Sequence, residues 1–377
     1  MRPSVSLALA LLLATAALNP PAGAQAPAVP VRGIYGGLPQ EIVDGGSSLR
    51  SFGVDAVWLG SGSFTAERLA WLRAQQVKAF AEFNTLHVAD YVTAHPDAAP
   101  IGADGQVSPP PGGWQGICPT HEAYRAERMR AFRTLLETYA LDGVWLDYLH
   151  SHASWEQAVP EMPDTCFCDR CLRRFQADTG IRLPEAPTAR LAAHLLSADR
   201  QAWVRWRLGI FTSWVREFRD IRDAVRPGAL LGTFHNTWSD EDYGGARLEK
   251  LAIDLKAQAA YIDVFSPMPY HARFGHAGDP GWIARQVSWL GRYLGVRGAA
   301  GERNRIWPIV QVSDWGEPVP VADVDQVLRL GASPPATGVI VFAWGGLRKD
   351  PQKIEAIGRT FRVLAAPRSA VPLPPLR

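Results

Sequence analysis

The chain has 377 residues, 47% hydrophobic and 20% charged, with a formal net charge of +2 and its 39 basic residues spread along the sequence. This composition excludes a disordered or fibrous protein, and it offers no basic face for nucleic acid. One domain of alternating strands and helices, which needs roughly 250 residues or more, uses the length.

Residues 1–26 read as a secretory signal peptide. Arg2 precedes an apolar run from Leu7 to Leu18, and small residues then offer two A-x-A sites, Ala22-Gly23-Ala24 and Ala24-Gln25-Ala26. The apolar run is short for a membrane span, so the expectation is cleavage rather than a retained anchor. The mature protein is expected to be periplasmic or secreted, with no membrane span.

Eight short apolar runs follow, alternating with stretches of helical spacing. The first four are Val31–Gly37, Asp55–Gly60, Val77–Asn84 and Asp142–Tyr148. The second four are Ala229–Asn236, Ile262–Tyr270, Ile306–Asp314 and Gly338–Gly345. Nearly continuous apolar strands are the mark of a parallel sheet covered on both faces. Helices are predicted over Glu122–Tyr139, Gln201–Ala224, Glu241–Ala259, Gly281–Leu294 and Val321–Leu330. Eight β/α units in order predict an α/β fold, a (β/α)8 TIM barrel over residues 27–365 with a Pro-rich tail at 366–377. Two long loops, Thr85–Thr120 after strand three and His150–Asp199 after strand four, fall on the C-terminal face, where active sites of this fold lie.

In the fourth run, alternation puts Gly143, Trp145 and Asp147 on one face and Val144, Leu146 and Tyr148 on the other. A carboxylate ending a barrel strand is costly to desolvate unless it is paired or used. Asp147 is therefore the leading catalytic candidate, against the plainer role of a capping or ion-paired Asp. Glycoside hydrolysis needs a second carboxyl group. The candidates are Asp314, ending strand seven, Glu82, near the end of strand three, and, ranked lower, Asp240, Glu241 and Asp242 after strand five. Asp147 is expected to attack the anomeric carbon; acting instead as the acid would require its pKa to be raised by burial or by the second carboxylate.

Cys118 and the run Cys166-Phe167-Cys168-Asp169-Arg170-Cys171 bring four thiols to the two long loops. Four thiolates suffice for a closed structural zinc site, and two disulfides are the alternative that export allows. The two-residue spacing weighs against the disulfides. Either staple would tie the two loops together, and no catalytic cofactor is expected.

The segment from Ile117 to Phe175 resembles a (β/α)8 glycosyl hydrolase group of unknown specificity, in which a Cys precedes a helix, a DG-x-x-x-D strand and a C-x-C-x-x-C-x-x-x-F segment. His95-Pro96-Asp97 and Asp104-Gly105 fit the same pattern. The cysteines are similar to those of family-42 β-galactosidases, and that resemblance implies that Cys118, Cys166, Cys168 and Cys171 ligate a structural zinc. Family-42 enzymes end strand four in Asn-Glu where Leu146-Asp147 stands here, so their activity is not implied. The match covers about a sixth of the chain.

Tyr35, Trp58, Asn84, His150, His235, Asn236, Tyr270, His271, Gln311 and Trp344 lie at or near strand ends and are expected to form a polar-aromatic cup for a carbohydrate substrate. No phosphate-cradling loop, nucleophile elbow or H-E-x-x-H occurs. The expected activity is a glycosidase, most simply a retaining one; the alternatives are a non-catalytic glycan-binding barrel, or a lyase or deacetylase.

Overall fold

The structure is a computed structural model that describes residues 29–366; the expected signal peptide and residues 367–377 of the expected tail lie outside them. All strands run parallel. They are β1 (Val31–Tyr35), β2 (Ala56–Gly60), β3 (Lys78–Asn84), β4 (Gly143–Asp147), β5 (Leu230–His235), β6 (Val264–Pro267), β7 (Arg305–Ile306), β8 (Ile309–Gln311) and β9 (Gly338–Phe342). Consecutive strands pair from β1 to β7, β8 pairs with β9, and β9 returns to β1.

β7 and β8 are two pieces of the seventh barrel strand, which the sequence predicts as one run. Pro308 interrupts it because proline lacks the N–H that a ladder needs. Trp307 N still donates to Phe265 O at 2.9 Å and Pro308 O accepts from Ile340 N at 2.8 Å. The strand thus passes its pairing from β6 to β9 and closes the (β/α)8 barrel.

Helices Glu122–Thr138, Arg200–Val225 and Gly281–Leu294 form as predicted. The helix expected over Glu241–Ala259 does not. Two single-turn helices, Ala246–Glu249 and Leu255–Gln258, stand there instead. Gly245 and Ala252 take left-handed backbone, and the buried Arg247 guanidinium bonds Trp238 O and Ile253 O, holding the chain in a compact loop.

The barrel interior is plugged by aromatic rings. Trp58, Phe80, Trp145 and Trp307 meet with centroids 4.7–6.3 Å apart. Indoles fit there because neighbouring strands present glycine. A Cβ on Gly33 would lie 2.2 Å from the Trp58 ring, one on Gly232 2.2 Å from Trp145, and one on Gly338 2.8 Å from Trp307. Trp58, expected to hold a sugar, is a fully buried part of this plug. The plug forms the floor beneath the C-terminal ends of the strands.

Gly232→Ala should destabilise the fold by at least about 1–3 kcal/mol, because the Trp145 ring cannot give way in a packed interior. Gly209→Ala, in the long helix with nothing within 4 Å of the added Cβ, should stabilise it by about 0.4–1 kcal/mol. Denaturant unfolding of the two variants checks both signs.

Candidate active site

Asp147 is the last residue of β4 and is 7% exposed. The β3–β4 register sets Glu82 beside Trp145 and Asn84 beside Asp147, so all four occupy the inner face. The Asp147 carboxylate accepts from Tyr148 N at 2.8 Å. Tyr148 itself sits at φ 52, a strained conformation for a bulky residue and of the kind that gathers at functional sites.

Burial raises the Asp147 carboxyl well above the usual range, and the charges of Glu82 and Glu156 push it the same way. Glu82 is also raised by burial, opposed by a hydrogen bond from the Tyr35 phenol. Burial pushes Glu156 up to about 7 against the opposing charge of Arg273. The phenols of Tyr35, Tyr148 and Tyr270 are raised by burial and by these same carboxylates. Three acids and three phenols therefore gather above the aromatic plug, with Phe234 and Phe342 packed against Tyr35 at 5.5 and 5.7 Å.

Asp314 stands apart from this group. Its Oδ1 accepts from Lys353 Nζ at 2.7 Å and from Val319 N at 2.8 Å, and its side chain is 60% exposed. Partial burial pushes its carboxyl up, but the Lys353 and Val319 hydrogen bonds outweigh this and hold it below its usual range. The loop acids after β5 are elsewhere too. Asp240 pairs with Arg247, Asp242 accepts from Ser239 N at 2.6 Å, and Glu241 is exposed.

Of the expected sugar-binding residues, Tyr35 and Tyr270 reach the enclosure. Asn84 forms a local turn, with Nδ2 donating to His87 O at 2.7 Å. His150 is occupied on both nitrogens: it pairs with Ser151 O at 2.7 Å and accepts from Trp155 Nε1 at 3.0 Å, and burial lowers its pKa to about 4. Gln311 accepts from Arg273 N at 2.9 Å, and Trp344 is buried with its N–H on Glu41. His235 is held neutral by burial, its pKa lowered to about 3, and its ring bonds Asn236 O. His235 Nε2, both amide atoms of Asn236 and His271 Nδ1 are buried without a hydrogen-bond partner among the described residues.

Sequence reasoning missed Glu156, Trp114 and Trp155, and alternation had assigned Tyr148 to the outer face. The available signal was the Ser154-Trp155-Glu156 string inside the long loop after strand four, an acid beside an aromatic where a loop crosses the mouth.

The four cysteines converge. Their Sγ atoms lie within 4.8 Å of one another, and Cys118 is 3.6 Å from both Cys168 and Cys171. All four are free thiols, far beyond the roughly 2.05 Å of a disulfide. Zn–S bonds of about 2.3 Å in a tetrahedron put sulfurs about 3.8 Å apart. Backbone N–H groups of Ile101 and Cys171 and the Arg170 guanidinium point at the sulfurs, the donor set a thiolate cluster needs. The cluster seeds a second small core with Phe167, Phe175, Trp203 and Trp206.

No protein-family model matches the chain, and no curated protein resembles it in sequence. Solved structures that share the architecture include glycoside hydrolases. The PgaB (BpsB) glycoside hydrolase domain of Bordetella bronchiseptica is 13% identical with a TM-score of 0.64, matching 88% of this chain and 98% of that one. The fold that the two share is the parallel (β/α)8 barrel. The β-galactosidase of Halorubrum lacusprofundi is 14% identical with a TM-score of 0.61, over 89% of this chain and 58% of that one. α-L-Fucosidase isoenzyme 2 of Paenibacillus thiaminolyticus is 13% identical with a TM-score of 0.53, over 88% and 49%. The chain thus spans about half the length of the fucosidase and somewhat more of the galactosidase.

Two measurements follow from the site. An unfolded Glu ionises near pH 4.3, whereas folded Glu156 keeps its proton to about 7. The folded state therefore binds the extra proton between these values, so the stabilising contribution of this group is complete in acid and is lost as pH rises through 7. Glu156→Gln removes it: the melting temperature of the variant relative to wild type should rise from pH 4 to pH 8, and a constant difference would contradict the enclosure. The comparison cancels the buried histidines, whose depressed pKa values act in the opposite direction. Thiol titration of the denatured protein should find four free thiols.

Proposed function

We propose that the chain is an exported glycoside hydrolase in which Asp147 carries the proton and a second carboxylate of the same enclosure completes the reaction. The observation behind this reading is the buried Asp147 carboxyl at the mouth, raised by its own enclosure and by neighbouring acids. Its shift favours the acid over the attacking role. Glu82 suits the ionised partner: burial raises it, but the Tyr35 phenol's hydrogen bond opposes the rise, whereas burial and two neighbouring acids all push Asp147 up. Glu82 stands on the strand beside Asp147, and the retaining reaction needs the two carboxyl groups about 5–5.5 Å apart.

The Asp147 O–H gives its proton to the glycosidic oxygen as the C1–O bond breaks and the bonding pair leaves with that oxygen. The Glu82 carboxylate forms a bond to C1. Asp147, now ionised, then takes a proton from water as the water oxygen attacks C1 and releases Glu82. The tyrosines Tyr35, Tyr148 and Tyr270 supply hydrogen bonds and exclude water.

Zinc fits the cysteine cluster, with Cys118, Cys166, Cys168 and Cys171 as ligands. Four thiolates leave no open position, so the metal would supply folding energy and tie the two long loops. The charged, apolar and small-residue sequence of residues 1–26 supports export, and no described helix is long and apolar enough to cross a membrane.

Asp147→Asn should reduce turnover on a panel of aryl glycosides and soluble polysaccharides by about 10²–10⁴-fold while the circular dichroism spectrum stays that of wild type. Retained turnover would overturn the assignment, and a wild-type protein that binds glycans without releasing product would identify a glycan-binding barrel. Elemental analysis should find one zinc per chain, and its removal by chelator should lower the melting temperature.

A further inference from the structure

Among the described residues, the large aromatic side chains left exposed are Trp114 and Tyr243, at 40% and 53%. Exposed large apolar groups carry information when they gather around a site. Both stand on the catalytic face, on opposite sides of β4: Trp114 in the loop after β3 and Tyr243 in the loop after β5. Each is also held in place by its backbone. Trp114 follows Pro109-Pro110-Pro111 and the left-handed Gly112 and Gly113, and Tyr243 is itself left-handed at φ 50, followed by Gly244 and Gly245 of the same hand.

A run of rings joins the two. Trp114 stacks on Tyr148 at 5.3 Å; Tyr148 meets His150 at 6.3 Å and His150 meets Trp155 at 6.0 Å. Trp155 meets Trp238 at 6.2 Å, and Trp238 meets Tyr243 at 4.4 Å. His150, Trp155 and Trp238 in the middle of the run are buried, and its ends are exposed. In the half of the run that begins at Trp114 the surface dips into a hollow of about 10 Å³ lined by Trp114, Tyr148, Trp155 and Glu156. Glu156 is part-exposed there, and no donor among the described residues hydrogen-bonds its carboxylate, although its backbone carbonyl is pinned by Arg273 Nε at 2.8 Å.

We propose that the barrel mouth binds an extended glycan chain laid from Trp114 to Tyr243, over Glu156 and the buried acids, and cleaves it internally. The proposal rests on the hydrolase reading above and adds its substrate class. A flat aromatic face takes the apolar C–H face of a pyranose ring, and a carboxyl group that no protein donor hydrogen-bonds takes the hydroxyl or amino donors on the ring's edge. Platforms on both sides of the acids mean that sugars are held on both sides of the bond to be broken. A site for trimming single terminal sugars would need a platform on one side only.

The test separates binding from turnover. Asp147→Asn protein is run in native gels cast with β-glucan, xylan, galactan or glycol chitosan. At least one polymer should retard it, and Trp114→Ala and Tyr243→Ala should each weaken that retardation by roughly two- to tenfold in Kd. Trp114→Phe, which keeps a flat face, should restore most of the loss. With active protein, the viscosity of the same polymer should fall well before reducing ends accumulate. Retardation by no polymer, unchanged retardation in both alanine variants, or release of reducing ends without loss of viscosity overturns the track. Polymer binding without hydrolysis by wild type overturns the hydrolase reading and leaves the track standing; hydrolysis of short aryl glycosides without polymer binding does the reverse.

Discussion

Carboxyl groups enclosed together cannot all ionise at neutral pH, and the mouth of this barrel encloses three. Glu82, Asp147 and Glu156 each pay a desolvation cost, the charges of Glu82 and Glu156 raise that of Asp147 further, and Arg273 offsets part of it at Glu156. Water would relieve the conflict, but the aromatic floor beneath and the phenols around the acids limit it. Burial and neighbouring charge therefore favour the protonated form of Asp147 where solution would strip the proton away. That is the condition under which an acid can protonate a leaving group at neutral pH.

The enclosure depends on the floor. Three of the four rings in the barrel plug are indoles, too large for an eight-stranded interior unless facing positions are emptied, and Gly33, Gly232 and Gly338 empty them. Packing at this density fixes the strands relative to one another. The inward residues one pleat higher, including Glu82 and Asp147, inherit that precision. The walls depend on the loops. The thiol cluster joins the loop after β3 to the loop after β4, and the loop after β4 is tied again where Ser154 and Glu161 pair and Arg273 holds Glu156 O. Glu156 is thus brought over acids contributed by the strands.

Strand periodicity and apolar content made the eight β/α units legible, because a parallel sheet covered on both sides demands them wherever it occurs. The inward face of β4 was legible for the same reason: a strand has a period of two, so Trp145 fixes the direction of Asp147. The convergence of four cysteines on two long loops could also be anticipated. The broken seventh strand was announced by Pro308 and still read as continuous, since its apolar residues run on past the proline. The compact loop that replaces the helix over Glu241–Ala259 depends on Arg247 reaching carbonyls distant in the chain's path, which helical spacing does not encode.

The side-chain neighbourhoods required the folded chain. Asp314 ends a strand run and carries the right chemistry, yet Lys353 from the last helix claims it; Trp58 and Trp344 are aromatic and near strand ends, yet one plugs the barrel and the other is buried against Glu41. Glu156 had no strand to place it and came to the acids only through the course of a long loop. Local sequence determined which elements form and which way each strand side chain points, because those follow from backbone geometry repeated every two or 3.6 residues. Which acids share an enclosure, which cation claims a carboxylate and which ring is left exposed were decided by tertiary structure alone, because each depends on groups far apart in sequence competing for the same few ångströms.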